Sequence, residues 1–430
     1  MSRSVPDSRA TALDLLAAVL DHGRPLDEAV AGHAGLVALT PRDRAFARLM
    51  VATTLRRLGQ IDAMLDACLE RPLPERARPT RHALRLGICQ LVFLGTAPHA
   101  AVDSAVTLAA ARGGARFRGL VNAILRRLAR TGAEIAAGQD AARLDTPDWL
   151  WKSWTAAYGA ETARRIASAH LGDPPLDITV AREPAAWAER LEAEILPTGT
   201  LRRPLRGLVE ALPGYDEGAW WVQDAAAAMP ARLLGEIAGE TVLDLGAAPG
   251  GKTAQLAAAG ARVVAVDRPK RLARLRENLA RLNLAAETIA ADIACWRPPA
   301  PAPFVLLDAP CTATGTIRRH PDVARIKSAA DVDRLARVQD ALLDAAAEML
   351  APGGRLVYCV CSLEPREGPE RAAALLARRA DLAREPIAAA EIGGLSAAIT
   401  AEGSLRTLPC HLAAQGGLDG FYAVRLRRMA

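Results

Sequence analysis

Lysine is almost absent from this chain, with four residues in 430, whereas arginine is abundant. Part of that imbalance is compositional bias, but it makes each lysine position informative. Cysteine is also sparse: seven residues, scattered, with no C-x-x-C pair. That excludes a disulfide framework and leaves structural zinc without ligands at the required spacing, so no metal is expected. Cys359 and Cys361 are separated by one residue and would share a face if both lay in a strand. No apolar run approaches the roughly 18 residues needed to cross a bilayer. The opening stretch MSRSVPDSRATALDLLAAVLDHG has only a short apolar segment broken by Asp14, with no cleavage-site pattern. It reads as an amphipathic first helix, not a signal peptide. The expectation is a monomeric, cytoplasmic protein with no membrane partner.

At 430 residues and 51% hydrophobic content, the chain is too long for one ordinary domain and has ample material for buried cores. Its net charge of +6 is concentrated at one end. Residues 1–130 carry 19 Arg against 11 acidic residues, so the remaining 300 come out slightly acidic, near −2. A basic first third points to contact with a polyanion.

That first third reads as helices throughout. Arg9 to Val19, Pro41 to Leu58, Ile61 to Leu69, Pro79 to Leu94, Val102 to Ala111 and Phe117 to Leu128 all space apolar residues at helical intervals, with Gly and Pro between them. Arg112, Arg116, Arg118, Arg126, Arg127 and Arg130 form a basic loop and helix face suited to phosphates. From 131 to 235 the pattern is mixed. Trp149, Trp151 and Trp154 follow a Thr146-Pro147 helix start, Leu176 to Ala181 alternates like a strand, and Trp220-Trp-Val-Gln-Asp precedes an Ala-rich helix. This segment is expected to be a small α/β linker domain, with the tryptophans as core or interface anchors.

From 236 to 430 strands and helices alternate. Strands read at Thr241–Leu245, Arg262–Asp267, Glu287–Ala290, Phe304–Asp308, Arg355–Val360 and Tyr422–Leu426, with helices at 252–259, 269–282, 331–350 and 365–379. This pattern predicts a doubly wound, mostly parallel sheet of Rossmann-like type, with its ligand outside the carboxyl ends of the strands.

The first strand leads into Gly246-Ala-Ala-Pro-Gly-Gly-Lys-Thr253, which satisfies the phosphate-loop pattern G-x-x-x-x-G-K-[ST]. Phe304-Val-Leu-Leu-Asp308 even imitates the strand that ends in a magnesium-binding Asp, so a nucleotide hydrolase is a real competitor. Three features favour an adenosine-type cofactor instead. Asp267 ends the second strand, where an acid accepts from both ribose hydroxyls. Asp292 follows the third strand and is placed for the adenine amino group. Asp308 runs straight into Ala-Pro-Cys311, for which a hydrolase has no use. The small residues Gly246, Ala247, Ala248, Pro249, Gly250 and Gly251 let a ligand approach the backbone closely.

Asp-Leu-Gly-Ala-Ala-Pro-Gly-Gly-Lys-Thr, Asp308-Ala-Pro-Cys-Thr-Ala-Thr-Gly and Tyr358-Cys-Val-Cys-Ser-Leu resemble the signature blocks of the NOL/NOP/Sun family of 5-methylcytosine RNA methyltransferases. They stand in the family's order. Val222-Gln-Asp-Ala and Asp419-Gly-Phe-Tyr also fit. In the first third, Arg81-His-Ala-Leu-Arg-Leu-Gly-Ile-Cys-Gln-Leu, Pro98-His-Ala-Ala-Val and Phe117-Arg-Gly-Leu-Val-Asn-Ala-Ile-Leu-Arg-Arg resemble the NusB-type RNA-binding helical domain over roughly residues 5–130. The combination is similar to the bacterial branch of the family that modifies small-subunit (16S) ribosomal RNA. It implies three domains: NusB-like over 1–130, linker over 131–235, and a class I S-adenosylmethionine (SAM) methyltransferase over 236–430. It also implies SAM held by Gly246 to Lys252, Asp267, Asp292 and Asp308. Two departures stand out. The family usually has Cys at position 246, where Gly is expected to be harmless, and often Thr at 360, where this chain has Val.

Carbon 5 of cytosine is too weak a nucleophile to take a methyl group directly, and a thiolate adding at carbon 6 activates it. Cys311 and Cys361 each follow a strand at the active edge. By analogy with DNA cytosine methyltransferases, the Pro-Cys residue Cys311 would attack. The RNA family resemblance implies instead that Cys361 attacks, Cys311 assists release, and Asp308 steadies the base. The loop Gly315 to Asp322 offers Arg318, Arg319 and His320 as RNA contacts, and the target base must leave any stack to reach a buried thiolate. Methylation of tRNA or large-subunit rRNA, a non-catalytic RNA-binding assembly role, and a phosphate-loop NTPase are the alternatives.

Overall fold

The computed structural model describes residues 7–205 and 207–430. The first six residues of the opening stretch and of the 1–130 domain lie outside the described residues. The described chain divides into two compact units, one of Met1–Leu171 with Arg319–Lys327 and one of Gly172–Arg318 with Ser328–Ala430.

The first unit is helical. Asp7 caps the helix Ser8–Leu20 by accepting from the Arg9 amide. Thr40 caps Pro41–Arg56 through the Asp43 amide, with proline at the first turn. Both are N-terminal devices readable in sequence. Leu13, Leu16, Met50, Leu55, Ile61, Leu84, Ile88 and Leu125 pack into one buried core. The helix Arg78–Ile88 continues through Cys89–Phe93 as a widened turn, closed by Leu94 N donating to Cys89 O. The helices Leu26–Ala31 and Ala34–Val37 were not expected, being too short to show a period.

Residues 131–171 lie in this unit, not with the sheet that follows. A Cβ on Gly59 would stand 1.8 Å from Leu144 O, so the second segment lies directly on the first. Gln60 N donates to Asp145 Oδ1 at 2.9 Å, and burial raises that carboxyl to about 6. Trp154 of the helix Asp148–Tyr158 is fully buried as an anchor. Arg319–Lys327 is also part of the helical unit: Leu26 N donates to Asp322 Oδ2 at 3.0 Å, and Arg325 donates to Asp145 O at 2.7 Å.

The second unit contains two sheets. The smaller is antiparallel, of β1 (Leu176–Val180), β2 (Glu194–Ile195), β3 (Leu201–Arg203) and β4 (Trp220–Val222), in the order β2-β3-β1-β4. The larger contains β5 (Thr241–Leu245), β6 (Arg262–Asp267), β7 (Glu287–Ala290), β8 (Ala302–Asp308), β9 (Leu350–Val360), β10 (Leu382–Arg384), β11 (Leu405–Thr407) and β12 (Phe421–Arg428). Its order is β10-β12-β9-β8-β5-β6-β7, with β11 on β12. β7, β6, β5, β8 and β9 are parallel, and β12 returns antiparallel to β9. Separate apolar clusters cover the two faces, one including Val242, Leu306 and Val357, the other Leu243, Leu307 and Tyr358. This is the two-faced burial that parallel strands require. The expected helix 365–379 is instead a single tight turn, Pro365–Glu367, followed by the helix Pro369–Arg378. β10 and β11 were not expected, because three-residue edge strands have no periodic signal.

Candidate functional site

β5, β6, β8 and β9 all end at one edge, where Leu245 pairs Val266 and Leu307 and Asp308 pairs Cys359. Each strand therefore releases its next residues into the same space. The turn after β5 is shaped by glycine. Gly246 has φ +83°, and a Cβ there would lie 2.2 Å from Asp308 O. At that position only glycine fits without moving the β8 backbone. The substitution expected to be neutral is thus one this backbone requires. Gly250, at φ +105°, caps the helix Gly251–Ala258. Ala247 and Ala248 are buried in the turn, and Pro249 follows Ala248 through a cis bond.

Asp267, 3% exposed, ends β6 and accepts from Ala248 N at 2.9 Å. It therefore braces the turn while keeping further acceptor capacity. Arg271 pairs with it from the next helix at 3.2 Å. Asp292 sits differently from the other acids. It is exposed and turns its carboxylate onto Ala294 N at 3.0 Å.

Lys252 is buried, and its Nζ donates to Asp308 Oδ2 at 2.7 Å while lying 5.1 Å from the Phe421 ring centroid. Burial pulls its pKa down, but Asp308 and the neighbouring Cys359 and Cys361 outweigh that and hold it above the usual value. Beneath it Asp244, fully buried, accepts from Thr253 Oγ1 at 2.6 Å, and its Oδ1 has no partner among the described residues. Desolvation, only partly offset by Thr253 and Lys252, raises this carboxyl to about 7.

Lys252 is already engaged by Asp308, and Asp267 by Arg271. A triphosphate would meet no free ammonium, which removes the basis of the phosphate-loop reading. A ligand with hydroxyls, an ammonium and a cationic sulfonium meets acceptors instead, so the residues fit SAM.

The two loops beyond β8 and β9 bring the cysteines together. Cys311 and Cys361 are both half-buried and free, with their sulfurs 3.4 Å apart. A hydrogen bond with Cys361, together with burial, pushes the Cys311 thiol well up. Cys359 points into the core, is fully buried and donates weakly to Asp308 Oδ1 at 3.7 Å. The loop backbones also interlock, with Gly315 N donating to Cys361 O at 3.0 Å and Gly420 N donating to Gly315 O at 2.8 Å.

The proposed RNA contacts differ in their surroundings. Arg318 is 2% exposed and pairs with Asp224 Oδ2 at 2.7 Å and Asp419 Oδ1 at 3.5 Å, and it also donates to Gly416 O at 3.0 Å. It is an internal strut and cannot reach a phosphate; the expectation for it is corrected. The half-buried Arg319 and His320 belong to the helical unit, where His320 Nδ1 lies 3.5 Å from Asp27.

Several groups escaped the sequence reading. Glu367, fully buried, bonds to both cysteine loops. Asp224 and Asp419 are the partners of Arg318. The Gln-Asp and Asp-Gly pieces of the family blocks marked the last two, but nothing local marked Glu367. Among the described residues no cluster of His, Cys, Asp and Glu could hold a metal, and no helix is long and apolar enough to cross a membrane.

Residues 231–427 match the family described as 16S rRNA methyltransferase RsmB/F, and residues 6–130 match the NusB family. The chain is 37% identical to ribosomal RNA small subunit methyltransferase B of Pseudomonas putida, over 98% of both chains. It is 36% identical to the protein of the same name from Vibrio cholerae, over 87% of this chain and 90% of that one. In fold it is similar to the crystal structure of PH0851, with a TM-score of 0.76 and 21% identity, covering 98% and 99% of the two chains.

Proposed function

Because the chain belongs to the ribosomal RNA small subunit methyltransferase B family, we propose that it methylates carbon 5 of a cytosine in 16S ribosomal RNA. The attacking group in this reading is Cys361. The observation that carries it is the pair of sulfurs 3.4 Å apart, on two loops that leave adjacent strands beside Asp308. A binding module has no use for two facing thiols, which weighs against a non-catalytic role.

SAM supplies an electrophilic methyl group. This chain's residues do the rest. Asp267 accepts from the ribose hydroxyls, Asp292 from the adenine amino group, and the turn from Gly246 to Gly251 admits the methionine portion. The Cys361 thiolate adds to carbon 6 of cytosine, and the electron pair displaced toward carbon 5 makes that carbon reactive. Asp308, steadied by Lys252, accepts from the exocyclic amine of the cytosine, and the Lys252 ammonium beside it offsets the negative charge that develops on the base. After methyl transfer, the Cys311 thiolate takes the carbon-5 proton, the C–H pair restores the C5–C6 double bond, and the bond from carbon 6 to sulfur breaks with its electron pair leaving on Cys361. Cys311 assists this release. The hydrogen bond with Cys361, together with burial, keeps a proton on it while Cys361 acts as nucleophile. Once Cys361 is bonded to carbon 6 its charge is gone, and Cys311 gives its proton to solvent and becomes the base. We place the reaction in the cytoplasm, with the chain acting as a monomer.

The test uses labelled SAM and ribosomal RNA. Cys361→Ala is expected to abolish methylation, and Cys311→Ala to accumulate a covalent protein–RNA adduct. An adduct trapped by Cys361→Ala would reverse the two roles, and full activity in both variants would end the covalent mechanism. Labelling of tRNA or large-subunit RNA in place of 16S RNA would move the substrate and leave the chemistry intact.

A further inference from the structure

The loop carrying Cys311 and the loop carrying Cys361 meet at one buried side chain, six residues beyond Cys361. Glu367 is fully buried in the turn Pro365–Glu367. Its Oε1 accepts from the Thr312 amide at 2.9 Å and from Gln339 Nε2 at 3.2 Å. Its Oε2 accepts from Ser362 Oγ at 2.5 Å and from the Thr312 hydroxyl. Thr312 directly follows Cys311, and Ser362 directly follows Cys361, so one carboxylate holds the neighbour of each thiol.

The surroundings brace it. Gln339, on the helix Ala329–Met349, also donates to Pro310 O at 2.9 Å, fixing the residue on the other side of Cys311. Ser362 Oγ accepts from Glu364 N at 3.0 Å and lies 3.2 Å from Thr314 Oγ1, while Thr314 Oγ1 accepts from Leu363 N at 3.0 Å. Tyr358 donates its hydroxyl to the Glu367 carbonyl. A carboxylate with four donors is saturated, which a buried charge needs in order to persist. Such saturation is consistent with holding other groups in place, and no acceptor capacity is left over for substrate.

We propose that Glu367 is a positioning residue that fixes the Cys311 and Cys361 loops against one another, so that the release thiol stays at the adduct the other thiol forms. This rests on the two-cysteine reading above and extends it to a side chain that touches no substrate. The step it serves is adduct release: the Cys311 thiolate takes the carbon-5 proton, the C–H pair reforms the double bond and the Cys361 thiolate departs. Displacing Cys311 by about an ångström slows that step on the order of 10- to 100-fold, while attack by Cys361 is less affected.

The experiment measures covalent adduct and methylated product in the same reactions, with full-length protein, ribosomal RNA and SAM. Glu367→Ala is expected to raise the adduct-to-product ratio about 10- to 100-fold. Glu367→Gln keeps an acceptor for the Thr312 amide and an amide group that the two hydroxyls can face, so it is expected to stay within about threefold of the unaltered protein. Thr312→Val, which removes one hydroxyl arm and leaves the backbone amide, is expected to shift the ratio in the same direction by less. It decides the matter if Glu367→Ala does not fold. An unchanged ratio in Glu367→Ala or, failing that, in Thr312→Val, with only a smaller active fraction, would show a merely structural group and overturn the inference. A Glu367→Gln variant as impaired as Glu367→Ala would overturn it too. An adduct trapped in Cys311→Ala but not in Glu367→Ala overturns this inference alone, whereas no adduct in Cys311→Ala brings down the two-cysteine reading beneath it.

Discussion

Arg318→Ala separates the two roles an arginine in the Gly315–Asp322 loop could have. The structure buries the guanidinium between Asp224 and Asp419, themselves 4% and 0% exposed. Removing the cation leaves two carboxylates without their counter-charge in a site that water does not reach. Breaking a buried pair from one side costs about 3–5 kcal/mol. In a unit of this size each kcal/mol lowers the melting temperature by about 2–4 °C, so a fall of roughly 6–20 °C is expected. Asp224 also caps the helix Ala225–Arg232 through Ala226 N at 2.8 Å. Adding Asp224→Asn, which keeps that cap and removes one unpaired charge, is expected to recover part of the loss. The assays are thermal unfolding and RNA affinity across a salt series. A phosphate-contacting arginine would leave the melting temperature unmoved and reduce the slope of log affinity against log salt by about one. That pattern in Arg318→Ala would refute the burial argument.

Gly246→Ala is expected to cost about 1 kcal/mol for a left-handed residue with a side chain, and more for moving the Asp308 backbone away from a contact of 2.2 Å. Calorimetric titration with SAM is expected to show weakened binding, and unchanged affinity and melting would refute the requirement for glycine. Asp244 gives a pH signature. Its folded pKa of about 7 lies above the ordinary aspartate value near 3.8, so its contribution to stability is complete below about pH 4 and is lost as pH rises through 7. Asp244→Asn keeps an acceptor for Thr253 and cannot ionise. Urea unfolding between pH 5 and 8 is expected to show a decline on the order of a few kcal/mol in the native protein that the variant largely lacks. Parallel curves would remove Asp244 as the cause.

The central strands were legible to the residue. Thr241–Leu245 and Arg262–Asp267 begin and end where their apolar runs meet Gly, Pro or charged residues. The reason is local: a strand buried on both faces must be apolar almost throughout, and its ends are where that stops. The placement of Asp267, Asp308, Cys311 and Cys361 at one edge follows from the same pattern, because parallel strands release their successors on the same side. Asp292 was read as part of that set, and its exposed carboxylate also accepts from Ala294 N. Its strand, β7, is the outermost, where one residue more or less of turn decides which way a side chain points.

What the sequence by itself determined was the order of the elements, the edge at which the chemistry collects and the residue types the reaction needs. Each of these depends on neighbours a few positions away. Only the tertiary structure decided which charges are available. Arg318 is withdrawn by acids 94 and 101 positions away. Lys252 is engaged by an acid 56 positions away, and Glu367 joins two loops by reaching 5 and 55 positions along the chain. An arginine beside a catalytic loop reads the same in sequence whether it faces solvent or an aspartate. The difference is a desolvation term set by residues that only the fold brings near.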